Sequence, residues 1–106
     1  MSDMPKPPKT FRAYVERYPH LGEAWDRIRQ AEGDGPLDAR TVRLIKLGVA
    51  MGALREGAVH AGVRKAVALG IPREDIEQVV ALVAGTLGMP ASVACFSWVR
   101  DVLDKG

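Results

Sequence analysis

Residues 38–54 read DARTVRLIKLGVAMGAL, and this stretch decides the fold. Asp38 stands where a helix N-cap uses a side-chain oxygen to accept from an otherwise unpaired backbone amide. Val42, Leu44, Ile45, Leu47, Val49, Ala50 and Met51 then cover most of a helix circumference, which predicts a helix over 39–54 buried on nearly every side. The segment that follows, 55–69, is read as a helix closed by Gly70, in the position where a left-handed cap prefers glycine. Pro72 with Glu74 and Asp75 opens the next helix, because proline fits a first turn and carboxylates favour the positive helix end. Its body, 76–87, is again apolar on most faces.

Working outward, Gly88-Met89-Pro90 breaks the chain before a last helix, 91–103, which carries Val93, Phe96, Val99 and Leu103 with Trp98 beside them. On the other side, Gly33-Asp34-Gly35-Pro36 separates the opening stretch from a helix at 21–31 whose stripe is Leu21, Ala24, Trp25 and Ile28. Thr10 is expected to cap a short helix over 11–18 that Pro19 ends. The proline-rich residues 1–9 read as a flexible N-terminal arm. No alternating strand pattern competes, so the expected fold is all-α, with about six helices.

The whole sequence, 106 residues and 11.5 kDa, fits one domain, with 47% hydrophobic and 26% charged residues. Its net charge of +2 is spread along the chain, so neither a nucleic-acid nor a membrane-surface patch is expected. The single cysteine, Cys95, excludes an internal disulfide framework, and the N-terminus is expected to carry neither a long apolar h-region nor the apolar span that crossing a bilayer needs. A cytoplasmic protein is the expectation. Two nearly all-apolar helices in so short a chain leave more apolar surface than the remaining helices cover, and the expected partner is the chain itself. A compact monomeric bundle is the alternative.

Several ordered segments carry a family resemblance: Leu37-Asp38-Ala39-Arg40-Thr41, Leu44 to Ala50, Val63-Arg64-Lys65-Ala66 with Gly70, Glu74 to Val79, and Gly88-Met89-Pro90. Together they resemble the carboxymuconolactone decarboxylase and alkylhydroperoxidase D family over about residues 11–103. The resemblance implies an all-helical domain over 10–106 whose subunits interlock into a homo-oligomer, a trimer or hexamer. In the peroxidase branch it further implies a Cys-x-x-Cys pair, a histidine four residues on and a glutamate on the preceding helix. Here the glutamate position holds Arg43, the cysteine positions Arg55 and Ala58, and the histidine position Gly62. A thiolate and a resolving thiol are both needed for that chemistry, so the sequence excludes thiol peroxidase activity by that relay. The lactone decarboxylase branch keeps glutamate and histidine at the positions of Ala58 and Gly62, and that pair is missing too.

What the chain has instead is Glu56-Gly57-Ala58-Val59-His60, a glutamate and histidine with the same spacing shifted back by two residues. It resembles a subgroup that reads Glu-Gly-Ala-x-His, often followed two residues on by a second histidine, where this chain has Gly62. Residues four apart share one helix face, so Glu56 and His60 can touch. An acid beside an imidazole stabilises its charged form and fixes the ring, which suits proton transfer on a carbonyl or enol. Glu56 and His60 are therefore the candidate catalytic residues, acting on a small organic acid or lactone. The small side chains of Gly57, Ala58, Ala61 and Gly62 leave room for a ligand beside them.

The same pair offers two metal ligands, but zinc needs at least one more from protein. His20, the only other histidine, is read in a turn after Pro19, so no metal site and no cofactor are assigned. Arg43, Arg55, Arg64 and Lys65 would gather a small anionic organic ligand if the fold converges them, and form a solvated face otherwise. Gly48, Gly52 and Gly62 are expected to permit close helix packing. Cys95 is read as a small core residue, and Phe11, Tyr14, Trp25 and Trp98 as lining a core or a pocket. Two functions stay open: an acid–base enzyme at Glu56 and His60, or a non-catalytic oligomeric binding or structural module on the same scaffold.

Overall fold

The structure, a computed structural model, describes residues 8–105. Among them it has six helices: α1 (Lys9–Arg17), α2 (Pro19–Glu32), α3 (Ala39–Gly52), α4 (Glu56–Ala68), α5 (Arg73–Leu87) and α6 (Met89–Leu103). No strand occurs among the described residues. The all-α expectation is met. Most of the expected arm, 1–7, lies outside the described residues, and its last two residues, Pro8 and Lys9, cap and open α1.

The described chain divides into two units, 8–37 and 38–105. The larger holds the core. Along α4, Val59, Gly62, Val63 and Ala66 are buried at the i, i+3, i+4, i+7 spacing of a single helix face. They pack with Leu47 and Met51 of α3, Ile76, Val79 and Val80 of α5, and Cys95 and Val99 of α6. Trp98 is partly buried against this cluster, so this aromatic belongs to the core. Ser92, the buried polar residue, donates its hydroxyl to the Val80 carbonyl at 3.4 Å.

The loops follow local chemistry. Asp38 caps α3 as expected, its carboxylate accepting from the Thr41 amide at 2.7 Å. At Gly70 (φ +78) the chain leaves α4 through a left-handed residue, with the Gly70 amide bonded to the Val67 carbonyl and Ile71 to Ala66. The end of α3 uses the same bonding, Leu54 to Met51 and Arg55 to Ala50, but there the left-handed residue is Leu54, at φ 55. Because that cap ends the helix, α3 stops at Gly52, two residues short of the expectation.

Three local expectations need correction, and all turn on proline. Thr10 does not cap α1. The N-cap is Pro8, without a side-chain hydrogen bond, and Thr10 lies inside the helix. Pro19 opens α2 rather than merely ending α1, and it thereby places His20 in a helix, not a turn. Pro90 lies in the first turn of α6, so the break between α5 and α6 is Gly88 alone, at φ +88. In each case a proline without an amide hydrogen occupies a position whose amide has no helical acceptor.

In the smaller unit neither helix has a buried residue. A Cβ on Gly22 would stand 3.2 Å from the Val15 Cβ, which marks the close approach of α2 to α1. Tyr14 and Tyr18 meet edge to face at 5.8 Å, with the Arg17 guanidinium over Tyr18. Leu21, Trp25 and Ile28, expected to form one stripe of α2, are exposed. The apolar surplus foreseen for the larger unit is also present. Ile45 and Val49 of α3 are 50% and 66% exposed and Leu82 of α5 is 70% exposed, so burial on nearly every side is not achieved by one chain alone.

Candidate functional site

Glu56 is the first residue of α4 and His60 lies one turn further on, which puts both on one face. Their approach is loose: Glu56 Oε2 is 4.0 Å from His60 Nε2, an ion-pair distance and too long for a hydrogen bond. The closer partner is Asp101 near the end of α6, whose Oδ2 lies 3.0 Å from the same nitrogen. Sequence reasoning missed Asp101. It is 41 residues from His60, and its only signal was an acid on the outer side of an amphipathic helix. Ligand atoms of Glu56, His60 and Asp101 all lie within 4.8 Å of one another.

The burial of the three is graded. The His60 side chain is 23% exposed, while Glu56 and Asp101 are 58% and 53% exposed. The imidazole is thus held in a partly covered position with two acids at its open edge. Packing of α4 against α6 sets this arrangement, through buried Val59 and Val63 on α4 and Cys95 and Val99 on α6.

The positions that the resemblance assigns to the relay lie elsewhere. His60 and Gly62 are two residues apart, about 200° around a helix, so they face opposite ways. Gly62 is buried toward α3, where a Cβ would be 3.1 Å from Leu47 Cδ1 and 4.0 Å from Arg43 Nη1. The glutamate and histidine positions of the family are therefore neighbours here, but they hold Arg43 and glycine, with Leu47 against the glycine. Leu47 fills the space beside Gly62, whereas Gly57 is exposed and a Cβ there would meet nothing within 4 Å. Gly48 is close to Val79, whereas Gly52 faces open space and permits no close packing.

Arg55 precedes α4 and Arg64 lies nine residues further along it, about 14 Å of helix rise at 1.5 Å per residue. His20 is almost wholly exposed, with Nδ1 3.6 Å from Glu23. Cys95 is fully buried, its thiol directed at the Met51 carbonyl at 3.8 Å, and burial pushes the thiol above its ordinary range. A buried, protonated thiol is a core group rather than a nucleophile.

An all-helical chain with an imidazole held between two acids, and with no thiol relay at the Arg43 and Gly62 positions, is the class these observations define. The chain belongs to the Carboxymuconolactone decarboxylase family, whose sequence profile matches residues 19–101. No curated protein sequence and no solved structure matches it. No helix among the described residues is long and apolar enough to cross a membrane.

Proposed function

We propose that this family member carries out acid–base chemistry on a small organic acid or lactone, with His60 as the proton-moving group and Asp101 as the residue that positions it. The observation that carries this reading is the 3.0 Å contact between His60 Nε2 and Asp101 Oδ2 across α4 and α6. With Nε2 donating to Asp101, the neutral ring carries its lone pair on Nδ1, which becomes the basic nitrogen. Glu56, exposed and 4.0 Å away, stands beside the same ring as a second acid. In a decarboxylation, the carbon–carboxylate bond breaks, its electron pair enters the adjacent carbonyl as an enolate, and carbon dioxide leaves. An imidazolium at His60, protonated by solvent at Nδ1, then donates that proton to the carbon and is reprotonated from water.

Self-association as a trimer or hexamer is part of the proposal, and the exposed Ile45, Val49 and Leu82 support it. The test is a panel of small lactones and β-oxo acids in deuterated buffer, followed by proton NMR for deuterium incorporation and loss of carboxylate. His60→Gln is expected to lower turnover by roughly 10²–10⁴-fold, the usual worth of a general acid–base. Asp101→Asn lowers kcat with a smaller change in KM. Turnover that survives His60→Gln refutes the reading, and a panel inert with the unaltered protein replaces it with the non-catalytic module.

A further inference from the structure

The geometry points to a divalent transition-metal site formed by Glu56, His60 and Asp101. It shares with the proposed function the premise that these three side chains act as one unit, and the measurements below separate the two. The donor set is one imidazole nitrogen and two carboxylates, a combination suited to first-row divalent ions and carrying two negative charges when the imidazole is neutral.

The distances agree. Four-coordinate zinc, with bonds of 2.0–2.2 Å, holds its ligand atoms about 3.3 Å apart, and six-coordinate ions with bonds near 2.1 Å hold adjacent ones about 3.0 Å apart. Here Nε2 is 3.0 Å from Asp101 Oδ2 and 4.0 Å from Glu56 Oε2, with all three donors inside 4.8 Å. The Glu56 oxygen has most of the way to move, up to about 1.5 Å, to reach those ligand spacings. Its side chain is more than half exposed and free of core packing.

The framework around the donors is preorganised. Glu56 and His60 come from successive turns of α4 and Asp101 from α6, so the ion would bridge two helices already fixed by the core. Three protein ligands leave the remaining coordination positions to water or to a substrate carboxylate on the exposed side. When a metal takes the Nε2 lone pair, the proton of the neutral ring resides on Nδ1. Metal binding therefore replaces the hydrogen bond from Nε2 to Asp101, and the Asp101-oriented acid–base form belongs to the metal-free protein.

The test uses cobalt(II), added to the full chain after treatment with EDTA and its removal. One equivalent per chain is expected, with visible d–d absorption, a rise in Tm and displacement of cobalt by zinc. Asp101→Asn, Glu56→Gln and His60→Gln are each expected to weaken binding at least tenfold, while circular dichroism shows the same helix content. Asp104→Asn, an acid on the same helix end but outside the cluster, leaves binding unchanged. Absence of stoichiometric binding, or cluster variants that bind as tightly as the unaltered protein, overturns the inference. Turnover in EDTA that is lost in His60→Gln, from a protein that takes up no cobalt, would likewise overturn it while supporting the acid–base reading. Stoichiometric metal binding to a protein inert on the whole substrate panel would support the metal site and defeat that reading.

Discussion

Replacing Gly62 with alanine tests whether the face of α4 that relatives use for chemistry is closed here. An added Cβ would stand 3.1 Å from Leu47 Cδ1 and 4.0 Å from Leu47 Cα. Carbon atoms pack best at roughly 3.5–4.0 Å, so the first contact is short by about half an ångström. Leu47 is fully buried and has little free space in which to yield. Overpacking of this kind costs roughly 1–3 kcal/mol, against roughly 1 kcal/mol gained by replacing a mid-helix glycine with alanine. The net expectation is a loss of roughly 0–2 kcal/mol. Gly48→Ala supplies the control. It lies inside α3, gains the same helix propensity, and its Cβ would meet Val79 Cγ1 at an ordinary 3.7 Å. The two variants should therefore differ by roughly 1–3 kcal/mol, at roughly 4–8 °C in Tm for each kcal/mol. Thermal unfolding followed by circular dichroism at one fixed protein concentration measures it, since self-association makes Tm concentration-dependent. If Gly62→Ala melts at or above Gly48→Ala, the Leu47 contact does not close this face and the argument fails.

Other expectations are independent of that one. Light scattering after size exclusion should report three or six times 11.5 kDa, and Leu82→Glu should lower it; a monodisperse mass of 11.5 kDa at micromolar concentration contradicts self-association. Cys95 should resist a thiol reagent until the protein unfolds, and no peroxide turnover with thiol reductants should be seen; rapid labelling of native protein would refute its burial. Arg100 and then Arg73 donate hydrogen bonds to Asp104 and hold its carboxyl below the usual carboxylate range. A lowered folded-state value stabilises above the unfolded value and loses that contribution as pH falls through the folded one. Asp104→Asn should thus lower Tm at neutral pH, with the gap to the unaltered protein closing below about pH 4, and a gap that widens in acid is the contrary result. Leu54→Gly should raise stability by up to about 1 kcal/mol, because a left-handed leucine costs roughly 1–2 kcal/mol and glycine's extra chain entropy roughly 0.5–1. Gly70→Ala should have the opposite sign, and equal signs in chemical denaturation would refute the cap assignment.

Much of the helical order was legible because its causes are local. The Asp38 cap, the left-handed Gly70 and the apolar spacing along α3 to α6 each act within a turn or two of the chain. Prolines were the weak point. Pro19 and Pro90 were read as breaks, although a helix accepts proline in its first turn as readily as it rejects it further in. Leu54 was unreadable as a cap, since no side-chain preference announces a leucine in the left-handed region.

For the site, the sequence by itself determined that Glu56 and His60 share a face, because a spacing of four is a property of one helix. It also determined that the family's reactive positions are empty of acid, imidazole and thiol. Tertiary packing alone made Asp101 the nearer partner of His60 and set Leu47 against Gly62. Both depend on how α6 and α3 cross α4. Those crossings are set by the burial of Leu47, Val59, Val63, Cys95 and Val99 together, a sum over distant residues that no local pattern encodes.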